Sequence, residues 1–109
     1  MRTLKFIVDG QILKPDPNCD FSDLVPGSGG YLRAEFSFSP EWNDCVKVAA
    51  FYSRLGKEYP PQILNGGKSC LIPELALDSR IFKIQIIGKS DNKRLKTNRL
   101  EVDQNGGRT

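Results

Sequence analysis

Alternation of apolar and polar residues with a period of two constrains this chain more than any other feature. From Tyr31 to Ser39, Leu32, Ala34, Phe36 and Phe38 alternate with Tyr31, Arg33, Glu35 and Ser37. A β-strand sends successive side chains to opposite faces, so this pattern buries one face and wets the other only when extended. The same period recurs at Leu4, Phe6 and Val8, and at Phe82, Ile84 and Ile86. Cys45 to Ser53 carries Val46, Val48, Ala50 and Tyr52 against Cys45, Lys47, Ala49 and Phe51. Both of its faces are rather apolar, which predicts a central strand.

Turn chemistry separates these runs. Asp9-Gly10 predicts a hairpin returning through Gln11-Ile12-Leu13. Lys14 to Gly30 holds Pro15, Pro17, Pro26, Gly27, Gly29 and Gly30 and reads as a long loop, with Phe21, Leu24 and Val25 available to pin it to the core. Ser39 to Asp44 predicts a turn or one short helical turn, with Trp42 plugging the end of the core. Pro60-Pro61 restricts Tyr59 to Leu64 to an edge strand or connector. Asn65-Gly66-Gly67 is a second hairpin signal before Ser69 to Ile72, and Pro73 can open a single helical turn over Glu74 to Leu77. In the last strand, Arg94 to Val102, the phase slips between Leu95 and Leu100, which predicts a bulge near Thr97-Asn98. The expected fold class is all-β: an antiparallel β-sandwich, immunoglobulin-like or jelly-roll-like, with seven or eight short strands and at most one or two helical turns. Residues 1–103 form one domain, and 104–109 read as a flexible C-terminal tail.

Catalytic and metal chemistry find little footing. The 109 residues include no histidine, which removes the commonest general base at neutral pH and the commonest metal ligand. Cys19, Cys45 and Cys70 are odd in number and form no C-x-x-C pair, so neither a closed disulfide framework nor a zinc site is expected. Asp20 with Asp23, and Glu41 with Asp44, are carboxylate pairs whose spacing selects no acid–base role. Gly27-Ser28-Gly29-Gly30 and Asn65-Gly66-Gly67-Lys68 lead into strands rather than helices, unlike phosphate-binding loops. The reading is therefore no enzyme and no cofactor. No signal-peptide core follows Met1-Arg2-Thr3, and no apolar run approaches the roughly 20 residues of a membrane span. The expected place of the chain is the cytoplasm, or an assembly built there.

Charge is divided along the chain. Residues 80–99 carry seven basic side chains against one acid, Asp91, whereas residues 15–44 carry six acids against one base, Arg33. An acidic region of one copy meeting a basic region of the next would make a head-to-tail contact. The candidate interface is thus Asp16, Asp20 and Asp23 on the acidic side, with Arg80, Lys89, Lys93, Arg94 and Lys96 on the basic side. The basic segment lacks the interleaved aromatics of a stacking platform, which argues against nucleic acid as the partner.

One ordered set of residues resembles a known family. It comprises Val8-Asp9-Gly10-Gln11, Tyr31 to Ser39 leading into Glu41-Trp42, Lys47 to Phe51, Ser69 to Glu74, Phe82 to Gly88, and Thr97-Asn98. Together they resemble a small β-sandwich module of tailed bacteriophages and prophages of Gram-positive hosts. There it often forms the N-terminal part of baseplate, tail-fibre or receptor-binding proteins. The resemblance implies a virion structural or adaptor role, made in the bacterial cytoplasm, with other virion proteins or further copies of the chain as partners. No coiled coil, carbohydrate-binding head or fibre repeat follows the module, so an accessory piece of tail, baseplate or capsid is expected rather than a host-receptor reader. Two alternatives are a small phage inhibitor occluding a bacterial defence protein, and a nucleic-acid-binding β-barrel using residues 80–99.

Overall fold

The computed structural model describes residues 1–104, and among them two sheets face each other across one apolar core. In chain order the strands are β1 (Arg2–Asp9), β2 (Ile12–Pro15), β3 (Leu32–Phe38), β4 (Val46–Ser53), β5 (Gln62–Ile63), β6 (Ser69–Leu71), β7 (Ile81–Lys89), β8 (Arg94–Lys96) and β9 (Leu100–Asp103). A 3-10 turn at Pro40–Trp42 and a single helical turn, α1 (Glu74–Leu77), interrupt them. The first sheet has the order β2-β1-β3-β6. The second has the order β5-β4-β7-β8, with β9 also on β7. This is the all-β sandwich that the alternation predicts, with the even residues of β1, β3 and β7 inward.

Pairing differs from the sequence expectation in two places. β1 and β3 are parallel, with Leu4, Phe6 and Val8 level with Ala34, Phe36 and Phe38. The β1–β2 hairpin turns on Gly10, at φ +60°, so the chain leaves the first sheet at its edge. The 16–31 loop then carries it back to the starting end of β1, where Arg2 N–H donates to the Tyr31 carbonyl at 2.9 Å. Alternation encodes which face is buried, not strand direction. Likewise Asn65-Gly66-Gly67 makes a tight turn but no hairpin within one sheet, because β5 pairs with β4 and β6 pairs with β3. That turn moves the chain from the second sheet to the first.

The core is aromatic. Phe6 stacks on Phe36 at 5.3 Å, Phe21 meets Phe6 edge-on at 5.4 Å, and Phe51 lies 6.4 Å from Phe82. Burying a side chain of this size contributes about 1.5–3 kcal/mol relative to leaving it exposed. Phe21 and Leu24 pin the long loop as expected, but Val25 is exposed. Trp42 is fully buried and closes one end of the core. Its Nε1–H donates to the Gly10 carbonyl at 2.8 Å. Its ring also fills the space beside Gly88, where an added Cβ would come within 2.7 Å of the indole.

The phase slip in the last strand divides it into β8 and β9. Thr97 sits buried at the break. Its N–H donates to the Ile86 carbonyl at 3.0 Å and its hydroxyl accepts from Ile86 N–H at 3.0 Å, so the ladder stays satisfied across the interruption. Asn98 turns outward to the other sheet. Its Oδ1 accepts from Leu13 N–H at 2.7 Å and its Nδ2 donates to the Leu13 carbonyl at 3.2 Å. A side-chain amide thereby imitates a strand and joins the edge of the first sheet to the second. At the C-terminus, Gln104 is a correction to the expected tail. It is buried, its N–H donates to the Arg80 carbonyl, and its amide donates to Leu77 and Ser79. The remainder of that expected tail, 105–109, lies outside the described residues.

Removing the Asn98 amide leaves both backbone groups of Leu13 without their partner. Asn98→Ala is expected to lower stability by about 2–3 kcal/mol, read as a drop in urea midpoint at unchanged m-value. The thiols give a second check. Cys70 is buried and its pKa is pushed up to about 12 by that burial, whereas Cys19 is half-buried. A thiol reagent should label Cys19 first in the native protein and reach Cys70 only on unfolding.

Candidate functional site

The outer faces of the two sheets differ in character. On the first sheet, outward residues are largely polar: Lys5 lies level with Glu35, and Thr3 with Arg33. On the second, β4 turns Val46, Val48, Ala50 and Tyr52 outward, because Ala49 and Phe51 occupy the core. β4 is flanked by β5 and β7, the central place that its two apolar faces predict. Registered partners share a face, so Ile63, Val48, Ile87 and Lys96 form one row across the sheet, and Val46, Lys89 and Arg94 the next. Val46 is 66% exposed and Ile63 71%. An apolar strip thus lies open along the second sheet with cations on its β8 side.

Val46, Val48 and Ile87 floor an open groove of about 810 Å³ where the β7–β8 turn rises above the sheet. Lys89, Lys93 and Arg94 rim it, together with Asp44 and Asp91. Further along the face, the Arg99 guanidinium lies over the Tyr52 ring at 3.8 Å. The Tyr52 hydroxyl pairs with Gln85 Oε1 at 3.1 Å, and Gln85 Nε2 donates to the Thr97 carbonyl at 2.8 Å. This chain of contacts ties β4 to β7 and to the break between β8 and β9.

Four of the eight sequence-derived interface residues come together here: Lys89, Lys93 and Arg94 on the groove, with Lys96 beside Ile87. Arg80 does not. It lies at the opposite end of β7 and pairs with Asp103 at 3.1 Å. Asp16, Asp20 and Asp23 lie in the loop at that opposite end, where they shape the loop. Asp16 Oδ1 accepts from Asn18 N–H and Asp20 Oδ1 from Ser22 N–H. Asp23 takes a left-handed φ of +58°. Arg2 ties the loop down through the carbonyls of Asp20, Ser22 and Asp23.

The acidic block of the sequence is therefore not one surface. Glu41 and Asp44 stand at the basic end, where Lys93 Nζ donates to the Glu41 carbonyl. The apolar strip itself was missed as a site. Its signal was present in the two apolar faces of β4, but a two-residue β5 leaves more of one face open than a full neighbour would.

One carboxylate of each sequence pair is held in its ionised form by its neighbours. A hydrogen bond from Ser39, then the Glu41 backbone N–H, and lastly the nearby Lys93 hold the Glu41 carboxyl below its ordinary pKa. The Ser22 hydroxyl and N–H, with Arg2 beyond them, do the same for Asp20. Among the described residues, no three acidic, cysteine or histidine side chains gather as metal ligands, and no helix is long and apolar enough to cross a membrane. Comparison with protein-family models, with curated proteins and with solved structures finds no match.

Depressed carboxyl pKa values carry a sign. Between the folded and unfolded values the unfolded chain binds more protons, so stability rises with pH there. The contribution of Asp20 and Glu41 is complete above the ordinary carboxylate range, near pH 4, and is lost as pH falls through their folded values. Urea midpoints should therefore decline below about pH 4, and the Asp20→Asn/Glu41→Gln double variant should show a shallower decline than the wild type.

Proposed function

We propose that this chain is a non-enzymatic assembly module, a structural or adaptor component of a tailed-phage virion that docks to protein through the outer face of its second sheet. The observation that carries the docking is the strip formed by exposed Val46 and Ile63 with half-buried Val48 and Ile87, bordered by Lys89, Arg94 and Lys96. Contiguous exposed apolar surface rimmed by charge is characteristic of protein contact. The cations select a partner whose apolar contact is flanked by carboxylates. The phage setting is supported by the resemblance in the ordered strand and turn residues. Faces serve better than edges for this docking. β5 is two residues long and preceded by Pro60-Pro61, β8 is three residues, and the β2 edge is engaged by Asn98. Nucleic acid has less support, because Tyr52 is buried beneath Arg99 rather than open for base stacking.

The test uses Val46→Asp/Ile87→Asp, two outward substitutions that leave the core intact. Mass spectrometry of purified particles from the parent phage should find the wild-type chain at fixed stoichiometry and the variant at least tenfold depleted. A wild-type chain absent from the particles, or a variant incorporated as well as wild type, would refute the proposal.

A further inference from the structure

Resting on the reading of the second-sheet face as a docking surface, we infer that its occupant is the opposite end of a second copy of this chain. That end is built from the 16–31 loop and α1, joined where Gly27 N–H donates to the Leu77 carbonyl at 2.7 Å. It exposes Val25, Tyr31 and Leu75, and around them the carboxylates of Asp20, Asp23 and Glu74. Two of the cations at this end are engaged within the copy: Arg2 with the loop carbonyls and Arg80 with Asp103. Arg54 is there as well, on the β4–β5 turn beside Arg80. The end thus sets Asp20, Asp23 and Glu74 against Arg2 and Arg54, and the groove side sets Lys89, Lys93, Arg94 and Lys96 against Asp44 and Asp91, so two apolar surfaces carry borders of opposite net charge.

Geometry separates the acidic end from the receiving groove. Arg2, at the start of β1, holds the acidic loop, whereas Gly10, just past the end of β1, binds Trp42, which packs on Gly88 beside the basic turn. A copy therefore cannot fold its own loop onto its own groove, but can offer it to a neighbour. A two-fold contact of the strip with itself about an axis crossing the strands sets Lys89, Arg94 and Lys96 of each copy toward the same cations of the other, and like charges oppose it; about an axis along the strands those cations meet only the uncharged Gln62–Ile63 edge. A head-to-tail contact sets cation against carboxylate and leaves one free face and one free end, so it repeats into a ring or a filament. The loop is already fixed by Phe21, Leu24 and the Arg2 bonds, so docking orders little that was loose.

The experiment is complementation by mass, using the full chain. Val46→Asp/Ile87→Asp disables the face, and Val25→Lys/Leu75→Lys disables the end. All four side chains lie outside the core, and circular dichroism confirms the fold of each variant. In sedimentation equilibrium the wild type should rise above the mass of one copy with concentration and fall back in high salt. Each variant alone should remain at one copy. Mixed in equal amounts, the intact end of one meets the intact face of the other, and the mass should reach two copies and stop there. A wild type that stays at one copy up to its solubility limit overturns the self-association while leaving docking to a different protein intact. A mixture that stays at one copy, or a single variant that assembles like the wild type, overturns the face-to-end pairing. Failure of the docking surface itself reads out separately, as undiminished incorporation of the face variant into particles.

Discussion

The fully buried indole of Trp42 is the point on which both sheets must agree. Its Nε1–H is bound by the carbonyl of Gly10, in the β1–β2 turn of the first sheet. Its ring occupies the space that Gly88 leaves on β7 of the second sheet, and Phe38 of β3 leans on it at 5.4 Å. A buried indole N–H needs an acceptor, and this ring needs a neighbour without a side chain. Both needs are met in a single relative placement of the sheets. Slipping β7 by one residue would bring a side chain into the ring and turn Phe82, Ile84 and Ile86 out of the core. The Asn98–Leu13 amide pair along the side of the sandwich reinforces the same placement.

The docking surface follows from that placement. With Ala49 and Phe51 committed inward, β4 has to present Val46 and Val48 outward, while Tyr52 on the same face is covered by Arg99. A wide neighbouring strand would flank and partly cover such a face, but the chain passes Pro60-Pro61 and pairs only Gln62 and Ile63 before crossing to the other sheet. Apolar side chains stay open as a result. The long loop follows the same logic at the other end. Parallel pairing of β1 with β3 obliges the chain to return to the starting end of β1, and the connection places Asp20 and Asp23 far from the basic turn. Charge polarity is thus a product of topology as much as of composition.

The alternating runs made the strands and their buried residues legible in the sequence, because side-chain period is a local property of an extended backbone, and the turn chemistry around Pro40 and Pro73 marked the two single helical turns. Trp42 as a core plug and the break at Thr97-Asn98 were legible for the same reason: flanking alternation and its phase slip are visible residue by residue. The β1–β3 direction was not, nor was the sheet change at Asn65-Gly66-Gly67. A turn motif specifies local dihedral angles, whereas the strand that receives the chain afterwards is chosen by distant partners.

The candidate site divides along the same line. The sequence by itself determined the all-β class, the apolar faces of the strands and the opposed charge of two segments. Tertiary structure alone decided that Lys89, Lys93, Arg94 and Lys96 border one face while Arg80 pairs elsewhere, and that Glu41 and Asp44 leave the acidic block to stand beside the basic turn. It also decided that Gln104 belongs to the folded body. Charge summed along a chain counts residues that are neighbours in sequence. A surface is assembled from strands whose order depends on which faces bury together, and that order is set by contacts between residues far apart in the chain.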